Sequence, residues 1–147
     1  MLRTALLALS AAVLLAGCAP DAPPAAPHEE VLQRGDTTVR ATVMQTSTLS
    51  EAIAARYGIE RGDDRVLLVV GVRQGPAEDP AEATVTATAT DLRGRRHAIP
   101  LHALEAGGLV DHVGSLRVEL PATLSFEIEV RREGRQPLEL AFNHDFR

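Results

Sequence analysis

The chain is most constrained by a period-two alternation of apolar and polar residues. Leu124, Phe126, Ile128 and Val130 alternate with Ser125, Glu127, Glu129 and Arg131. Successive side chains of an extended strand point to opposite faces, so this pattern spells a strand with one dry face and one wet face. The spelling recurs where Val39, Ala41 and Val43 alternate with Arg40, Thr42 and Met44. It recurs again where Val85, Ala87 and Ala89 alternate with Thr84, Thr86, Thr88 and Thr90. One-sided strands must bury their dry faces against a second sheet or by closing into a barrel.

Further strands are predicted over 65–74, 97–101, 109–120 and 138–146. The run Val66 to Val72 is almost unbroken in its apolarity, as a central strand covered on both faces would be. Pro121 interrupts the ladder because proline has no amide hydrogen to donate. Glu133-Gly134 marks a hairpin turn. One helix is predicted, over Leu49–Tyr57: Thr48 caps, Glu51 reaches back, Leu49, Ile53 and Tyr57 share a face, and Gly58 stops it. About seven strands with one short helix after the first predict an all-β, immunoglobulin-like two-sheet sandwich. A barrel is the alternative.

The first residues read as an address. Arg3 precedes an apolar run from Ala5 to Ala16, too short for a comfortable membrane span of about 20 residues. The run ends in Leu15-Ala16-Gly17-Cys18, which resembles the bacterial lipobox. That resemblance implies cleavage after residue 17 and lipid attachment at Cys18. Two or three acyl chains make a stable anchor where one is marginal. Ala19 rather than Asp after the cysteine points to the outer membrane. Residues 18–35, with Pro20, Pro23, Pro24 and Pro27, read as a tether. The folded domain is then expected over 36–147.

Cys18 is the single cysteine of the chain, so the domain has no disulfide and depends on packing. Every basic residue is arginine, and the net charge is −5. A mildly acidic domain argues against nucleic acid or anionic lipid as the main partner. With no tryptophan and one tyrosine, the ring-based anchors of sugar sites and many interfaces are scarce.

Several short motifs carry a resemblance. They are Gly35-Asp36, Ala55-Arg56-Tyr57-Gly58-Ile59, the strand 65–72, Thr86 to Leu92 with Gly94, and a last strand closing on Phe142 and Phe146. In this order and spacing the segment resembles the small exported proteobacterial proteins of the domain of unknown function 4426 family. The resemblance implies an immunoglobulin-like sandwich in the periplasm. It implies no activity and no catalytic residues. The lipobox departs from the ordinary cleavable signal of that family.

Candidate chemistry is sparse. His97 and His102 could meet across a loop, with Met44 as a soft copper ligand, but a metal needs three or four converging donors. Solvated strand histidines are the plainer reading for these and for His28 and His112. Asp111, His112 and Ser115 hold the residue types of a hydrolase triad, yet neighbours on one strand face opposite ways. The threonine row 84–90 reads as a solvated sheet face. His144, in phase with Leu140 and Phe142, is expected to face inward unless the strand stops at Asn143. The expectation is therefore a non-enzymatic envelope lipoprotein with no cofactor. It is held to the membrane through Cys18 and docks an envelope protein. A small-ligand or metal carrier is the alternative.

Overall fold

The computed structural model describes residues 26–147. Ten strands form two antiparallel sheets in these residues. The first sheet runs β1 (His28–Arg34), β2 (Thr37–Gln45), β3 (Arg65–Gln74), β8 (Leu109–Arg117) and β7 (His102–Ala106). The two-residue β4 (Asp79–Pro80) pairs onto β3. The second sheet runs β10 (Leu138–Phe146), β9 (Ala122–Arg131), β5 (Thr84–Asp91) and β6 (Arg96–Ile99). The all-β sandwich expected from the alternation is thus the observed architecture.

The dry faces meet between the sheets. Val39, Ala41 and Val43 of β2 and Val66, Leu68, Val70 and Val72 of β3 face Val85, Ala87 and Ala89 of β5. Leu124, Phe126, Ile128 and Val130 of β9 complete that core. Small side chains on β5 let the sheets approach closely. Gly114 marks a second close approach, where the chain crosses from β6 to β7. A Cβ there would lie 2.5 Å from the Pro100 carbonyl oxygen.

Residues 28–34, read above as the end of the tether, form β1. Its half-buried face is His28, Glu30 and Leu32, and its other face is exposed. A strand so polar survives because it is an edge: one neighbour, β2, satisfies its backbone, and charge on an edge strand deters aggregation. The domain therefore begins before residue 36. β4 and β7 are the other two strands beyond seven. Both are short, and β7 has no clean alternation. The strand expected over 109–120 ends at Arg117, and the Leu120–Pro121 bond is cis.

The helix α1 spans Glu51–Tyr57, with Ser50 rather than Thr48 as its cap. The Ile53 amide donates to Ser50 Oγ at 3.2 Å. Thr48 instead closes a preceding 3-10 turn by donating to the Gln45 carbonyl. The buried face is Leu49 and Ala54, while Ile53 is 43% exposed. Gly58 ends the helix in the left-handed conformation (φ 65°), as expected. Leu49 and Ala54 pack on the outer face of the first sheet over Leu67 and Val113. This explains the unbroken apolar run of β3: both of its faces are covered.

Candidate functional site

On one side of the sandwich the two sheets meet through their edge strands. Inward-facing His28 of edge strand β1 stacks on inward-facing His144 of edge strand β10, with ring centroids 4.7 Å apart. Phe146 meets His144 edge-on at 4.6 Å, and Phe142 lies 5.7 Å from His28. His28 Nε2 lies 3.1 Å from Glu30 Oε1. Close by in sequence, Gln45 Nε2 donates to the Arg147 carbonyl at 2.6 Å. Burial lowers the His144 pKa from its ordinary 6.5, and the nearby His28 adds to the fall; Asp145 opposes it.

The inward phase of His144 was legible in the alternation of β10, which runs through Asn143 to Phe146. Its partner was not, because His28 follows four prolines. The signal available was Gly35-Asp36, a turn between two stretches that then pair residue for residue from His28↔Val43 to Arg34↔Thr37.

The other candidate residues are dispersed. His97 sits on β6 opposite Ala89, with Nε2 3.6 Å from Asp91 Oδ2. His102 sits on β7 in the other sheet, and its Nε2 lies 3.2 Å from the Tyr57 carbonyl. Met44 packs into the cluster beneath α1. Among the described residues no three His, Cys, Asp or Glu side chains converge as a metal site would require. Asp111 is engaged by Arg73, whose Nη2 donates to it at 2.5 Å. Arg73 Nη1 donates to the Val110 carbonyl, and the arginine is 8% exposed. Val113, of the same face as Asp111 and Ser115, packs under α1; His112 lies on the opposite face. The triad residues therefore do not converge. Thr84 and Thr86 are exposed, which agrees with a solvated face. Cys18 lies outside the described residues.

A second cluster lies at the tip of the β5–β6 hairpin. The turn Asp91-Leu92-Arg93-Gly94 is closed by Gly94 donating to the Asp91 carbonyl at 2.9 Å. The Asp91 carboxylate accepts from the Arg93 amide, the Arg95 amide and Arg95 Nε. Chiefly the Arg95 amide, then its guanidinium and the Arg93 amide, hold Asp91 down to about 2. Leu92 at the tip is 83% exposed. It borders a groove of about 300 Å³ that also includes Arg93, Glu119 and Pro121. The sequence signal was an arginine-rich Leu-Arg-Gly-Arg-Arg in an acidic chain.

The fold has known counterparts. The family model described as Domain of unknown function (DUF4426) matches residues 31–147. A crystal structure of a DUF4426 family protein from Pseudomonas aeruginosa PAO1 superposes with a TM-score of 0.69 at 25% identity. It covers 80% of this chain and 94% of that one. A copper-bound variant of FetP from uropathogenic Escherichia coli strain F11 gives 0.59 at 8% identity, covering 82% and 95%. As-isolated FetP of the same strain, recombinantly expressed in the periplasm of E. coli, gives 0.55 at 11%, covering 82% and 95%. At those identities FetP shares the fold alone. No curated protein matches the chain. No helix among the described residues is long and apolar enough to cross a membrane.

Proposed function

The chain belongs to the DUF4426 family, a family of unknown function, and from that premise we propose that it is a non-enzymatic docking lipoprotein of the bacterial envelope. Lipid on Cys18 tethers it to the outer membrane, facing the periplasm. The domain receives an extended segment of another envelope protein.

The observation that carries the docking role is the free edge of β7. Among the described residues this strand, His102-Ala-Leu-Glu-Ala106, pairs only with β8. No described residue pairs with its outer backbone groups, it carries no proline, and Glu105 is its single fully charged side chain. Beside it, Leu109 and Val110 are 40% and 37% exposed. These would give an added strand apolar contact as well as backbone hydrogen bonds.

The test is photo-crosslinking in intact cells from a probe amino acid at position 103, with a probe at Thr86 on the other sheet as control. The expected result is one dominant adduct from position 103 only. It weakens when Ala106→Lys blunts the edge and when Cys18→Ser removes the lipid. Equal patterns from both positions, or no adduct from position 103, would overturn the docking role.

A further inference from the structure

Three observations bear on the β5–β6 hairpin tip. The first is register. Asp91, the last residue of β5, pairs with Leu124 of β9, which pairs with His144 of β10. His144 stacks on His28, where the described chain enters β1. The hairpin tip and the chain entry therefore share one end of the sandwich. They are separated by two strand spacings of about 4.8 Å and one ring stack.

The second is reach. Cys18 precedes His28 by ten residues. Fully extended, ten residues span at most about 36 Å. A lipid on Cys18 thus holds the chain entry within about 36 Å of the bilayer.

The third is chemistry. Leu92 is the most exposed of the large apolar side chains on the described surface. It is followed by Arg93, Arg95 and Arg96 in a chain of net charge −5. Arg95 is paired with Asp91 and Arg96 with Glu127, whereas Arg93 makes no ion pair with a described residue. Acidic neighbours at this end are partly engaged: Asp64 by Arg117, Glu60 by Arg65, and Asp145 by the Thr123 hydroxyl. Glu119 lines the groove behind Leu92. The Asp91 hydrogen bonds hold the turn rigid, so little freedom is lost on contact. The opposite end carries arginines too, Arg34, Arg132 and Arg135, the last paired with Asp36, beside Glu133, but none of its large apolar side chains is as exposed as Leu92.

We propose that the Leu92–Arg96 tip seats on the anionic phospholipid surface that holds the anchor, with Leu92 entering the headgroup region and Arg93 meeting lipid phosphate. This rests on the lipid-anchor reading above. It orients the domain, leaving the β7–β8 hairpin at the far end for a partner.

The chain has no tryptophan, so Leu92→Trp installs a sole fluorescent probe at a position already open to solvent. The lipidated protein is reconstituted with phosphatidylglycerol-containing vesicles and with phosphatidylcholine vesicles; Leu109→Trp serves as the far-end control. Circular dichroism confirms that each variant is folded. We expect emission from Leu92→Trp to shift to shorter wavelength on the anionic vesicles and to be quenched by brominated acyl chains. The shift falls with added salt and in an Arg93→Glu form, and Leu109→Trp does not move. Protein that floats with the vesicles while Leu92→Trp keeps a water-like emission overturns the seating alone. Protein that does not float at all overturns the anchor, and the seating with it.

Discussion

Arg73 and Asp111 show how one residue's role follows from its neighbours. A nearly buried guanidinium is tolerable because a carboxylate and two carbonyls, of Val72 and Val110, accept its hydrogens. Removing one partner leaves a charge with no answer, which costs more than the pair contributes. Asp111→Ala is expected to destabilise the domain by about 2 kcal/mol in urea unfolding. His144 supplies a pH dependence. Its folded pKa lies below the ordinary 6.5 through burial and His28, against the pull of Asp145. The unfolded chain therefore takes up a proton first as pH falls. Stability is full above about 6.5 and is lost as pH drops toward the folded value. Unfolding midpoints should decline from pH 7 to 5, and His144→Phe should flatten that decline. The inward phase of His144 could be read from alternation alone. The stack on His28 could not, because it joins residues 28 and 144, which no local pattern links.

At the scale of elements, the crossover between the sheets is the tightest joint. Gly114 on β8 lies under the Pro100 carbonyl with no room for a Cβ. Gly114→Ala should destabilise by about 1–3 kcal/mol, measured by denaturant midpoint, because both strands must part to admit a methyl group. The helix is held more lightly. Ser50→Ala removes the acceptor for the Ile53 amide and should cost about 1 kcal/mol. Hydrogen exchange in α1 should rise before that of β3. Elements with strong alternation, β2, β5, β9 and β10, were legible because each has one wet and one dry face. β1, β4 and β7 were not: they lie at margins, where pairing with a neighbour's backbone decides the strand and side chains need not alternate. The helix cap shifted by two residues for a similar reason, since Thr48 was drawn into the 3-10 turn.

At the scale of the whole molecule, the boundary between tether and domain decides what can be made and measured. A chain beginning at residue 36, where composition alone puts the start, lacks β1. It uncovers the edge of β2 and loses His28, the partner of His144. It should unfold at lower denaturant than a chain beginning at residue 26 and should associate more readily through the bared edge. Sedimentation and urea unfolding of the two forms check both outcomes. The placement of β1 also has a mechanical meaning. The chain enters at His28 and runs along the edge of the sheet to Gly35 before turning back. Tension drawn through the residues before His28, against a load held at the opposite end, pulls β1 along its own length. Its bonds to β2 are then strained together in shear. A load held at the entry end spares them. The same strand is thus a strong clasp for one direction of pull and carries almost none of the other.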